Sequence, residues 1–371
     1  MSINTEIEKN HQSHDVSGVL QNDHKVWIVT GASGHLGNTV IRRLVMQGAH
    51  VRALIIEKER PEALRGINCE VISGNILDRQ SLEPLFAGLE DKEIYVLHLA
   101  GQISIFSGHA PAVFKVNVDG TRNMLDASAY HSVHRFLYCS TVHAIPVPEK
   151  DVSIAEIEHF DPELVIGSYA KSKASATKLV LDAAKQGFPA VVVQPVGILG
   201  PYDQLQGHMT RLISRFALGR LPGMIRGTYN FADVRDIAEG AINAILHGKI
   251  GESYILSGHV TSIKDMLNIV AELIGRKKIK RTIPLWLARI GAPIIEGFSR
   301  IFNKPPLFTT YSLHTLQTPC HFSSEKARHE LGYSIRPLKG TLRDTLLFME
   351  RHQMFGRRCL TLNMNNNVSK S

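Results

Sequence analysis

Tyr169 and Lys173 stand four residues apart in the segment Tyr169-Ala-Lys-Ser-Lys173. On a helix that spacing puts both side chains on one face. A free phenol has a pKa of ~10, too high for efficient proton transfer near neutrality. A neighbouring ammonium favours the phenolate and lowers that value. The pair could then give a proton to a carbonyl oxygen or take one from an alcohol. A YxxxK pair also arises by accident on surface helices, so its weight depends on what accompanies it. At the end of an apolar strand, Tyr138-Cys139-Ser140-Thr141-Val142 offers two hydroxyls, Ser140 and Thr141.

A second group of residues could hold an anion. Thr30-Gly31-Ala32-Ser33-Gly34-His35-Leu36-Gly37 follows the apolar run Val26–Thr30 and opens a helical pattern with Val40, Ile41, Leu44 and Val45 on one face. Glycines there let the backbone turn sharply and come close to a phosphate. The helix N-terminus then presents free N–H groups to a pyrophosphate. The spacing is GxxGxxG, not the GxGxxG of the common dinucleotide fingerprint. His35 sits inside this turn and could add a contact beyond its backbone. Proton transfer by the Tyr169–Lys173 pair needs neither His98, His143 nor the other histidines, and most of the 18 are expected to be surface or packing residues.

The elements that must position these residues read as a parallel α/β sheet. Strands are expected at Val26–Thr30, Val51–Ile56, Val71–Ser73, Tyr95–Leu99, Phe136–Ser140 and Ala190–Gln194. Short, fully apolar strands fit a sheet covered on both faces by helices. After Pro195 the alternation weakens, which points to a smaller unit over the strand ends, where such sheets bind ligands. The expected division is a disordered leader (1–24), a dinucleotide-binding domain (25–195 with about 230–250), a substrate domain (196–229 and 251–350) and a disordered tail (357–371).

Composition narrows the function class. The chain has 371 residues, 44% apolar, 20% charged and 7% aromatic, the profile of a globular protein. Lys and Arg number 42 against 34 Asp and Glu, a net charge of +8. No basic run is dense enough to argue for nucleic acid; Arg276–Arg281 reads as a helix-end cap. Cys69, Cys139, Cys320 and Cys359 have neither CxxC nor Cys/His spacing, so no metal site or disulfide framework is indicated. Reduced thiols and a polar start without an apolar signal segment point to the cytoplasm. Residues 283–302 are apolar but broken by Arg289, Pro293, Glu296 and Arg300. They fall short of a spanning helix. A pocket-covering helix pair is the expectation, with an interfacial membrane contact as the alternative.

The ordered set of segments resembles the extended short-chain dehydrogenase/reductase superfamily. TGASGHLG at Thr30–Gly37 looks like its phosphate signature. Gly74-Asn75-Ile76-Leu77-Asp78 resembles its GDxxD segment, with Asn75 in place of the first Asp. His98-Leu99-Ala100-Gly101 resembles its HxAG segment, and Asn117–Leu125 its NVxGTxNxL helix. Asn230–Ala238 resembles NFVHVDDVA, and Gly251–Ser257 GExYxLSG. The resemblance covers about residues 25–350. It implies a Rossmann-type fold, a nicotinamide cofactor, a small-molecule substrate and, as a habit of the superfamily, a homodimer.

What it implies residue by residue is as follows. Tyr169 is the acid/base, and an oxidised nicotinamide joins Lys173 in lowering its pKa. Lys173 also holds the nicotinamide ribose, and Thr141 is the catalytic hydroxyl. The cofactor contacts Gly31, Ser33, Gly34, His35, Leu36 and Gly37, then Asn75, Ile76, Leu99, Ala100, Gly101, Asn117, Tyr169, Lys173 and Pro195. The end of the second strand reads Leu54-Ile55-Ile56-Glu57-Lys58. Neither an NAD-type Asp nor the flavonol-reductase Arg stands there. Glu57 is available for a ribose, and Arg52, Lys58 or Arg60 for a 2′-phosphate, so NAD and NADP both stay open.

Within the superfamily, Cys139-Ser140-Thr141 lacks the Thr-Asp-Glu of the 4,6-dehydratases. Gln194–Pro201 is closer to the reductase-type NPxxxxGP than to the epimerase Arg-Tyr-Phe-Asn segment. Tyr229 stands where nucleotide-sugar epimerases tend to place an Arg for a diphosphate. The nearer resemblance is to the dihydroflavonol-reductase and 3β-hydroxysteroid-dehydrogenase branch. Hydroxyl/ketone oxidoreduction on an apolar substrate is therefore the expected reaction. Sugar epimerisation is one alternative. A nucleotide-binding sensor without turnover is another, and loss of Tyr169 or Lys173 would mark it; both are present.

Overall fold

The computed structural model describes residues 22–56, 61–104, 110–148, 152–221, 224–225, 227–280, 282–284, 287–288, 290 and 309–355. Nearly all of the expected leader, the tail, Glu57, Lys58, Arg60 and most of 283–302 lie outside the described residues.

Seven parallel strands form the main sheet: β1 (Lys25–Thr30), β2 (His50–Ile55), β3 (Glu70–Ser73), β4 (Glu93–His98), β5 (Arg135–Cys139), β6 (Ala190–Pro195) and β9 (Ser253–Leu256), in the order β3-β2-β1-β4-β5-β6-β9. The strand order reverses between β1 and β4. Open α/β sheets bind ligands at such a point, beyond the carboxyl ends of the strands. The turn after β1 and Leu99-Ala100-Gly101 after β4 both lie there.

Both faces of the sheet are covered. The principal helices are α1 (His35–Met46), α2 (Gly120–Tyr130), α3 (Ser168–Lys185), α4 (His208–Ala217), α5 (Val234–His247), α6 (Ile263–Leu273), α7 (Thr310–Thr315), α8 (Glu325–Leu331) and α9 (Leu338–Arg351). Alternation along β5 shows the two layers. Arg135 donates to the Ile245 carbonyl of α5. On the other face Phe136 meets the Phe188 ring, and Tyr138 meets Lys173 of α3. Burial on both sides is why these strands read as continuous apolar runs.

A three-stranded sheet lies beside the main one, in the order β10-β8-β7: β7 (Gly197–Leu199), β8 (Thr228–Asp233) and β10 (His259–Ser262). It carries a second core with Leu212, Ile213 and Phe216 of α4, Met266 and Val270 of α6, and Leu342 and Leu346 of α9. The structure differs from the expected division at residue 251. β9 pairs in parallel with β6, Val192 against Ser253 through Pro195 against Leu256, and so completes the main sheet. Ala327 and Leu331 of α8 also join the main core. Their partners lie far away in sequence, and no local pattern reports them. Val234, Ile237, Ala241 and Ile245 of α5 lie in the main core too.

The expected strand ends shift by a residue or two. β4 ends at His98 and β5 at Cys139, so Leu99, Ser140 and Thr141 fall in the loops just beyond. Among the described residues no helix is long and apolar enough to cross a membrane.

Candidate active site

The Gly-rich turn is built for close approach. Gly31 has φ +68°, and a Cβ there would lie 2.7 Å from the Ala100 nitrogen. A Cβ on Gly37 would collide with the Gly31 carbonyl oxygen, so α1 can approach its own strand only with glycine there. Gly34 is the N-cap of α1, no side chain caps the helix, and its first turn has no acidic residue. The uncapped N–H groups and the helix dipole leave an anion-ready terminus. A Cβ on Gly34 would meet, among the described residues beyond its own helix and neighbours, the Gly31 oxygen at 3.1 Å. These features fit the pyrophosphate of a dinucleotide. Ser33 and Leu36 are buried within the turn. The His35 ring faces elsewhere: its Nε2 lies 2.8 Å from the Pro201 carbonyl, so the ring ties α1 to the loop after β7.

The next two expected contacts are shaped from within. Asn75 Oδ1 accepts the Leu77 N–H at 3.0 Å, so the residue that replaces the family's Asp closes its own loop. Ile76 is buried against Gly120 of α2 and takes Asn123 on its carbonyl. Arg52, one of the candidates for a 2′-phosphate, is engaged within the protein. Its Nε pairs with Glu70 at 2.8 Å, and its Nη1 donates to the carbonyls of Leu85 and Ala87.

A buried hydrogen-bond chain joins β1, β4 and the helix that carries Asn117. Thr121 donates to the Asn117 carbonyl, so its oxygen accepts from His98 Nε2 at 3.1 Å. Ala100 N–H donates to Thr30 Oγ1, whose own proton is directed to His98 Nδ1 at 2.8 Å. This assigns His98 as the neutral Nε2–H tautomer. Burial, with help from Lys173, holds its imidazole down to about 3.

Asn117 lies in a π-helical stretch, Lys115–Asp119, ahead of α2. Its Oδ1 accepts the Gln102 N–H at 2.7 Å, and its Nδ2 donates to Gln102 O and to Ser172 Oγ of α3. Ser172 in turn donates to the Tyr169 carbonyl. Asn117 thus fixes the Gly101 loop against the helix that carries Tyr169. A Cβ on Gly101 would lie 3.3 Å from Asn117 Oδ1 and 3.5 Å from Lys173 Nζ.

Lys173 is buried. Its Nζ donates to the Cys139 carbonyl at 2.5 Å and to the Tyr138 hydroxyl at 3.1 Å. Tyr169 is half-buried four residues earlier on α3. Burial pushes its phenol up to about 12, and Lys173 pulls against this without reversing it. The expected lowering by Lys173 is therefore outweighed by desolvation. The two hydroxyls after β5 part ways. Ser140 Oγ lies 2.6 Å from Thr177 of α3, whereas Thr141 Oγ1 accepts the His143 N–H at 3.3 Å as a cap. Pro195 is buried at the end of β6.

The sequence reading missed the surroundings of Tyr169. His143, which the Tyr169–Lys173 chemistry does not require, places its Nε2 2.5 Å from the Tyr229 hydroxyl of β8. Tyr311 of α7 packs on Gly167, just before α3. These contacts join segments far apart in sequence. The one available signal was the uncharged Tyr229 at the position where epimerases carry an Arg. A cavity of about 630 Å³ opens beside the start of β8, lined by Gly227, Thr228, Thr282, Ile283, Pro284, Leu316 and Gln317. Its lining adjoins Tyr229 along β8 and does not include Tyr169.

Comparison with known proteins identifies the family and the fold. The profile of the NAD dependent epimerase/dehydratase family matches residues 27–257. The putative dihydroflavonol 4-reductase of Synechocystis sp. is 29% identical over 88% of this chain and 95% of its own length. Sterol demethylase protein B of Methylococcus capsulatus is 29% identical over 88% of this chain and 99% of its own. The crystal structure of gox2253 superimposes with a TM-score of 0.76 at 30% identity, covering 89% of this chain and 99% of that one.

Proposed function

This chain belongs to the NAD-dependent epimerase/dehydratase family, and from that premise we propose that it is an NAD(P)-dependent oxidoreductase interconverting a hydroxyl and a ketone on a small, apolar substrate. The observation that carries the reading is Lys173. A buried ammonium is costly unless it is paired or used. Here it has a backbone carbonyl and a neutral hydroxyl for partners, on the helix that carries Tyr169.

In this reading the uncapped N-terminus of α1 and Gly31, Gly34 and Gly37 receive the pyrophosphate, and Lys173 reaches the nicotinamide ribose. The nicotinamide, when bound, donates or accepts a hydride. Thr141 Oγ1 and the Tyr169 hydroxyl hold the substrate oxygen. Tyr169 gives its proton to that oxygen during reduction and takes it back during oxidation. A phenol held up to about 12 is fully protonated at neutral pH and ready as an acid. Lys173 favours the phenolate left behind and so stabilises charge only as it develops. The named relatives support the substrate class: one is a putative dihydroflavonol reductase, the other a sterol demethylase protein. Apolar ligands of that kind gain mainly by burial.

The test is to purify the protein, release any bound nucleotide by denaturation, and titrate nucleotide-free protein with NAD(H) and NADP(H). Readily exchanged cofactor is the expected result, and the tighter form identifies the preferred nucleotide. Stoichiometric, non-exchanging NAD would instead point to an epimerase that recycles its own hydride. Binding of neither would overturn the reading.

A further inference from the structure

We propose that the Tyr229 hydroxyl, held by His143, is a substrate-binding group that takes up a second, uncharged oxygen of the substrate. The inference rests on the oxidoreductase reading above and narrows its substrate class. The substrate is a neutral ketone or alcohol carrying one further hydroxyl or carbonyl, not a nucleotide diphosphate.

The argument starts from position. Thr141 Oγ1 accepts the backbone N–H of His143, and the ring of the same histidine reaches Tyr229. One residue therefore links the hydroxyl that holds the reacting oxygen to the phenol of β8. The Tyr169 and Tyr311 phenols are close enough to add to the upward push that burial gives the Tyr229 pKa. The Tyr229 phenol therefore stands in the neighbourhood of Tyr169, on the side of β8 that His143 reaches.

Next comes rigidity. A Cβ on Gly197 would lie 2.5 Å from Tyr229 Cε1, so the ring rests where a side chain would otherwise stand. The Phe231 ring, 5.2 Å away between centroids, and the His143 ring, 5.9 Å away, flank it. A phenol fixed in this way loses little entropy on binding a ligand.

Chemistry then selects the ligand. A phenol can donate one hydrogen bond and also accept. If it donates to His143, its lone pairs stay available; if the imidazole donates, its proton does. Burial holds the imidazole down to about 4 and the phenol above its usual range, so neither carries charge near pH 7. Neither of these two groups offers a charge to a diphosphate, whose desolvation against them would be expensive. A hydroxyl or carbonyl oxygen matches the group. A site built for such an oxygen rejects an analogue lacking it, because its own polar group is then left unpaired.

The experiment compares decan-2-one with three partners of the same chain length: 3-hydroxydecan-2-one, decane-2,4-dione and 5-hydroxydecan-2-one. Steady-state reduction is followed with the nucleotide the protein binds. Wild-type protein is expected to favour at least one oxygenated ketone over decan-2-one by tenfold or more in kcat/KM. Tyr229→Phe should erase most of that preference through KM rather than kcat. His143→Leu should do the same, and His143→Gln, which can still bond the phenol, should restore part of it. Nucleotide affinity reports whether each variant is folded. An unchanged preference in Tyr229→Phe overturns the proposal, as does competitive inhibition by micromolar UDP-glucose. Wild-type protein that binds nucleotide but reduces none of the four ketones overturns the oxidoreductase reading, and the subsite with it.

Discussion

The Lys173 ammonium donates to the backbone carbonyl of Cys139 across 2.5 Å, tying α3 to the last residue of β5. The bond joins the helix that carries Tyr169 to the strand end that presents Thr141. It also makes Lys173 a structural residue as well as a chemical one, and this separates two substitutions. Lys173→Met leaves the Cys139 carbonyl and the Tyr138 hydroxyl without this donor, at a cost of about 1–3 kcal/mol. Tyr169→Phe removes a half-buried hydroxyl and should change stability by less than about 1 kcal/mol. It should nevertheless cut turnover by ~10²–10⁴, with nucleotide affinity within several-fold. Urea unfolding and steady-state kinetics on both variants decide the matter. Wild-type-like turnover in Tyr169→Phe would remove the acid/base assignment.

Two glycines of one turn should fail in different ways. Gly37→Ala drives a methyl into the Gly31 carbonyl between α1 and β1, so stability should fall by at least about 1–3 kcal/mol. At Gly34 an added Cβ meets, among the described residues, the Gly31 oxygen at 3.1 Å, and in Gly34→Val the added bulk would crowd the pyrophosphate proposed for this turn. The second variant should unfold near the wild-type midpoint and bind nucleotide at least tenfold more weakly. Thermal melts with and without nucleotide distinguish them. Normal nucleotide binding by Gly34→Val would mean that the turn has been placed wrongly.

Mild acid should destabilise the fold through two histidines. An unfolded imidazole titrates near ~6.5. Burial holds His98 down to about 3 and His143 to about 4. The unfolded chain therefore binds more protons than the folded one in this interval. The stability these groups contribute is fully present above pH ~6.5 and is lost as pH falls towards the folded values. Each adds a slope of about 1.4 kcal/mol per pH unit well below the unfolded pKa. Urea unfolding at pH 7, 6 and 5 should show the decline, and His143→Gln should make it shallower by about one proton. A flat profile would contradict the burial of His98 and the partial burial of His143.

Sequence alone determined the parts of this protein that are local. The turn Gly31–Gly37, the pair Tyr169 and Lys173, and six of the seven main-sheet strands are written in spacings of a few residues. Turn geometry and helical and strand periodicity act over that range. The choice of Thr141 over Ser140 rests on resemblance; the fold turns Ser140 to Thr177.

Only the tertiary structure decided what depends on distant partners. It brought β9 into the main sheet beside β6, closed Arg52 onto Glu70, and set the His98 tautomer through Thr30 and Thr121. It also raised the Tyr169 phenol, because burial is a sum over every neighbour and a spacing of four residues reports only one of them. His143 and Tyr229 are separated by 86 positions, and no periodicity links them. Packing alone brings such side chains within a hydrogen bond, because side-chain contact is set by the folding of whole elements against one another and not by the order of residues within any of them.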